Sequence, residues 1–233
     1  MTPVERISVL TPLDILALVT VFVAWAWMGW WIEHTKGKRK SVTVRMADYR
    51  RAWMVQMITR EPRIFDATIL GGLRQSTSFF ASTCIFALGG VLALIGNSER
   101  LLGVAQDLTL GAASVVVWQA KLLVIAVFLT HAFLKFVWAN RVFSYCAVVM
   151  AAVPNEVDDP KSLPMAGQAA ELNIRAAWNF NRGLRSVYFA IGSLAWLLGA
   201  WALLLATAVV IYTLWEREFA SHAHKILSSE PKV

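Results

Sequence analysis

Apolar residues run in four long blocks, Leu13 to Ile32, Ser76 to Ile95, Leu122 to Ala139 and Val187 to Trp215, and charge is gathered almost entirely between them. A hydrocarbon core of roughly 30 Å takes about 20 residues of helix. The pattern therefore predicts four transmembrane helices in an all-α integral membrane protein, a single membrane domain over residues 1–233. Helices of a soluble core rarely hold such uninterrupted apolar runs.

Between the blocks the periodicity stays helical. Val42 to Thr59 places Met46, Tyr49, Trp53 and Met57 on one face and Arg45, Asp48 and Arg51 on another, which predicts an amphipathic helix along the inner leaflet. Glu61-Pro62 breaks it, and a new helix starts near Pro62, with Asp66 in its first turns, and runs to Ile95. The third helix starts between Thr109 and Ala120 and stays apolar past Arg141 as far as Pro154. Asn155 to Pro164 reads as a loop. From Met165 the helical pattern resumes, Glu171 and Arg175 forming an i, i+4 pair, and passes Gly183 into the fourth span. Three helices thus overshoot the bilayer on one side, the roughly 12 extra residues from Pro62 adding about 18 Å. These extensions form a juxtamembrane helical collar.

Composition agrees: 58% of residues are hydrophobic and only 16% charged, outside the range of a soluble domain. Charge sets the orientation. Ten Lys/Arg lie between Glu33 and Gln75, including the basic stretch Lys36 to Lys40, and five between Trp138 and Val187. The N-terminus, residues 96–121 and the C-terminus hold six together. The positive-inside rule then makes 33–75 and 140–186 cytosolic loops and puts both termini outside. Trp30 and Trp31, Trp118, Trp138 and Trp215 fall at span ends, as interfacial indoles do. The first span lacks a basic n-region and a small-residue cleavage site, so it is expected to be retained. A bacterial cytoplasmic (inner) membrane is the expected location. Cys84 and Cys146 read as small apolar fillers.

Polar residues at membrane depth come first as candidates for chemistry. His131 and Lys135 lie four residues apart on the third helix and mark an intramembrane path, with snorkelling of Lys135 toward the headgroups as the plainer reading. No Asp or Glu occurs in the last three spans, which argues against proton pumps and sodium-coupled carriers. Arg74, Arg141, Arg182 and Arg185 each stand where a long helix meets the inner interface, with Asn181 at the same level. Converging, they would make a pocket for phosphate, carboxylate or a lipid headgroup. Small residues Gly192, Ala195, Gly199, Ala202 and Ala206 in the fourth span, and Ser82, Gly89, Ala93 and Gly96 in the second, make strips suited to close helix packing, within a protomer or in a homo-oligomer. His222 and His224 lack further metal ligands, no cofactor motif is present, and no catalytic residue stands out. Nothing points to nucleic acid.

Leu73-Arg74-Gln-Ser76, Phe136-Val-Trp138-Ala-Asn-Arg141, and Asn181-Arg-Gly183-Leu-Arg185-Ser-Val-Tyr188-Phe189 together resemble the domain-of-unknown-function family 599. The resemblance covers nearly the whole chain and implies a small multi-spanning protein of the kind found in bacteria and plants, with no activity to carry over. It singles out Arg74, Trp138, Arg141, Gly183, Arg185 and Tyr188. The expected function is non-enzymatic: a scaffold or accessory protein that binds anionic lipid headgroups or small anions at a cytosolic Arg cluster, with membrane lipids and a membrane protein as partners. The alternative is an oligomeric channel or carrier for an anion or small solute.

Overall fold

The computed structural model describes residues 10–37, 40–98 and 114–229. The centre of the basic stretch, Lys38 and Arg39, and the loop with Glu99, Arg100 and Asp107 lie outside the described residues. All regular structure among the described residues is helical: α1 (Pro12–Glu33), α2 (Val42–Ile58), α3 (Ile64–Gly96), α4 (Val115–Ala152), α5 (Ser162–Ser193), a 3-10 segment (Leu194–Leu198), α6 (Ala200–Trp215), a π-helical turn (Glu216–Ala220) and α7 (His222–Ser228). Among the described residues four helices are long and apolar enough to cross a membrane: α1, α3, α4 and the run from Ala200 to Ser228. With 33 and 38 residues, α3 and α4 measure about 50 and 57 Å and continue beyond a hydrocarbon core.

Helix ends are closed by side chains. Ser41 Oγ accepts from Val44 N (3.2 Å) at the start of α2 and donates to Ile32 O (2.7 Å) in the last turn of α1. One hydroxyl thus caps one helix and finishes another. α4 stops before Pro154, and Arg63 takes its terminal carbonyls: Nη1 donates to Val153 O (2.6 Å), Nη2 to Pro154 O (2.7 Å) and to Ile58 O of α2 (3.3 Å). A cation at two helix C-termini also meets the negative ends of their dipoles.

The single domain expected from sequence packs as two compact units, one comprising Met1–Trp30, Thr83–Ala132 and Leu184–Trp215, the other Trp31–Ser82, Phe133–Gly183 and Glu216–Val233. In the first, α1 buries Ala17, Val21, Ala24 and Met28 at helical spacing. Phe128 stacks on Phe22 (5.1 Å) and Phe189 (6.0 Å). In the second, α2, α3, α4 and α5 enclose a core of Met54, Met57, Leu70, Phe143, Cys146, Met150 and the alanine row Ala166, Ala169, Ala170, Ala176 and Ala177. The second unit therefore holds a core of its own.

Four expectations are corrected. The block 187–215 is not one straight span. α5 ends at Ser193, Gly199 turns the chain at φ 130°, and α6 runs back, so that a Cβ built on Gly192 would lie 3.1 Å from Val210. Eighteen residues of continuous helix would separate those positions by about 27 Å. Second, the segment after Trp215 does not lie across the membrane from residues 33–75. Thr43 N and Oγ donate to Glu218 (3.0 and 2.9 Å), His224 Nε2 lies 3.1 Å from Lys40 O, and Phe219 stacks on Trp31 at 5.0 Å. Segments in contact share one face of a membrane. Third, α2 buries Ala47, Met54, Met57 and Ile58 against protein, and Tyr49, expected on the apolar face with Met57, is left exposed. Fourth, Glu171 pairs with Arg51 of α2 (2.9 Å), and Arg175 lies over Trp178 (5.6 Å) instead.

Candidate functional site

Within the second unit α4 and α5 present two stripes to each other at helical spacing. Lys135, Trp138, Val142 and Tyr145 come from α4, and Leu172, Arg175, Trp178, Asn179 and Arg182 from α5. They line a groove of ≈ 430 Å³. Arg182 grips Glu33 through Nε to Oε1 (2.9 Å) and Nη2 to Oε2 (2.5 Å). Arg141, beside the groove, donates to the Tyr145 hydroxyl (2.7 Å) with its guanidinium 5.4 Å from that ring. Among the described residues Lys135, Arg141 and Arg175 have no carboxylate within ion-pair distance, so Glu33 offsets one cation of four. Exposed Trp138 and Tyr145 give the rim an amphipathic edge. An excess of fixed cations beside indole and phenol rings suits a phosphate that lies at a water–hydrocarbon boundary.

The remaining site residues do not join this groove. Arg74 lines a separate cavity of ≈ 340 Å³ with Arg63 and Asp66, the last buried and accepting from Trp53 Nε1 (2.6 Å) and Arg60. Asn181 donates to Thr43 Oγ1 (3.2 Å) and lines a third cavity. Arg185 is buried in the first unit, its Nε 3.8 Å from where a Cβ on Gly29 would stand, and Tyr188 belongs to that unit as well. The expected convergence of Arg74, Arg141, Arg182 and Arg185 is therefore corrected: Arg182 lines the groove, Arg141 reaches only its rim through Tyr145, Arg74 lines another cavity and Arg185 belongs to the first unit, because the four occupy different faces of three helices.

His131 is engaged within the first unit. Its Nδ1 lies 2.7 Å from Ser186 Oγ, Trp25 Nε1 donates to the same oxygen (3.1 Å), and the Trp25 and His131 rings meet edge-on at 4.9 Å. With Ser186 fully buried, this is a packed polar contact. Lys135, one turn on, belongs to the groove.

Sequence reasoning overlooked Arg175 as a groove residue, Glu33 as the partner of Arg182, and Arg50 and Arg63 as organising cations. An Arg-x-x-Trp spacing, 175 to 178, was the signal available for the first. The others pair across helices and left none.

A model of the family described as "Protein of unknown function, DUF599" matches residues 16–223. The chain belongs to this family. No curated protein and no solved structure matches it. All groove residues of this DUF599 chain fall inside the matched region, as do the three motifs that carry the resemblance.

Proposed function

We propose that this DUF599 protein is a non-enzymatic, multi-pass scaffold or accessory protein of the cytoplasmic membrane that holds anionic phospholipid headgroups in the α4–α5 groove. The observation that carries this reading is the groove's charge, with Lys135 and Arg175 in its lining and Arg141 beside it unmatched by any carboxylate among the described residues. Sidedness supports it. Eighteen of the 22 Lys/Arg fall in the segments of the second unit, because the tail after Trp215 adds Arg217, Lys225 and Lys232 to them. By the positive-inside rule that unit faces the cytosol, where anionic lipid is met. The rival, an oligomeric channel or carrier through His131 and Lys135, has less support because His131 is tied to Ser186 and Trp25.

Native mass spectrometry of the detergent-purified protein tests the reading. Phosphatidylglycerol should be retained in preference to phosphatidylcholine, and Lys135→Ala with Arg175→Ala should weaken that retention by roughly 30-fold, at about 1 kcal/mol per basic residue near anionic lipid. Equal retention of the two lipids by the parent protein would remove the proposal.

A further inference from the structure

A cavity of ≈ 580 Å³ in the second unit is separate from the groove's cations and falls within the size range of small-molecule sites. Its wall is divided by chemistry. Phe80, Phe143 and Phe180 supply aromatic surface, while Arg50 of α2 supplies charge. The Arg50 guanidinium donates to Asn173 Oδ1, and among the described residues no carboxylate lies within ion-pair distance of it. Burial pushes Arg50 below its ordinary pKa range. The acid on this wall, Glu218, is already occupied by Thr43 N and Oγ1. A partly desolvated cation without a counter-ion is costly, and an anion delivered into the cavity would offset that cost. Arg217 stands on the same wall, brought there by the π-helical turn that Glu218 fastens to the start of α2. Single π turns inside helices recur at functional sites.

We propose that this cavity binds a small organic anion, its carboxylate or phosphate on Arg50 and its apolar body among the three phenylalanines, with the C-terminal segment as one wall of the site. A metal ion does not suit a cationic wall, and a neutral apolar ligand would leave the Arg50 charge unmatched. The site shares Trp178 with the lipid groove but none of the groove's cations.

Isothermal titration of the full chain in nanodiscs decides it, with 1-naphthoate, octanoate and phenyl phosphate as probes and 1-naphthamide as the uncharged control. At least one anion should bind, at least about tenfold more tightly than the amide, and Arg50→Gln, which keeps a donor for Asn173, should lose about that factor. The carboxylate and phosphate arms tell which head group is preferred. Ala223→Trp, introduced at the exposed tail side of the cavity, should block binding and leave the melting temperature unchanged, so the test survives if Arg50→Gln folds poorly. Lys135→Ala with Arg175→Ala should bind the probes as the parent does, which separates this site from the groove. Absence of binding by all three anions, equal binding of 1-naphthamide, or undiminished affinity in both Arg50→Gln and Ala223→Trp would overturn the proposal.

Discussion

Gly183 has no side chain because Phe136 occupies the space one would need. A Cβ there would stand 2.7 Å from Phe136 Cε1 and 2.9 Å from Cζ. The ring cannot retreat, being fully buried and held by Phe80 and Phe180, each with its centroid 5.4 Å away. Gly183→Ala should therefore destabilise the protein by about 1–3 kcal/mol despite the better helix propensity of Ala. At Gly167 of the same helix an added Cβ meets nothing within 4 Å, and Gly167→Ala should be neutral or stabilising by up to about 1 kcal/mol. Thermal unfolding of both variants in one detergent checks the pair, and equal shifts would refute the steric account. The family resemblance brought Gly183 forward through its motif. Why it must be glycine depends on a ring 47 positions earlier in the chain.

At the scale of elements, the α5–α6 hairpin separates this chain from a plain row of spans. Gly199 makes the reversal with φ 130° and ψ 169°, a region open essentially to glycine alone. The turn is anchored within the first unit by Trp196, whose Nε1 donates to Asp14 Oδ1 (2.7 Å) and whose ring faces Lys121 Nζ at 5.8 Å. Gly192 then lets α6 approach at Val210. Gly199→Ala should cost about 1–3 kcal/mol, read as a lowered melting temperature together with faster amide exchange over 194–203. A shift no larger than that of Gly90→Ala, where the added Cβ meets nothing within 4 Å, would argue against strain at this turn. The small-residue strip expected along one helix is thus divided: Gly192 lies before the reversal, Gly199 makes it, and Ala202 and Ala206 follow it.

For the whole molecule the testable quantity is sidedness. The chain passes from one unit to the other five times, so its two terminal segments belong to different units. Cys84 and Cys146 are buried and should stay silent to a membrane-impermeant maleimide, which leaves a clean background. Asp158→Cys and Ser228→Cys, both in the second unit, should label from the same side of the membrane. Labelling of Asp158→Cys and Ser228→Cys from opposite sides would refute the placement of the tail beside α2. Much of this architecture was legible in the residues. Long apolar blocks demand helices in lipid because unpaired backbone groups are intolerable there, and Pro62 and Pro154 marked helix ends with local chemistry. Hydrophobic periodicity is blind to reversal, however. Val187 to Trp215 reads alike as one tilted helix or as two antiparallel pieces, and the error moved the C-terminus across the membrane. Charge pairing failed for a related reason: the i, i+4 rule paired Glu171 with Arg175, but Arg51 from another helix holds Glu171. Spacing along the chain determined that the protein is helical, has four stretches apolar enough to cross a membrane and gathers its basic residues between them. Which arginines share a groove, and which way the last helix runs, were decided by packing, because those contacts join residues that no local repeat connects.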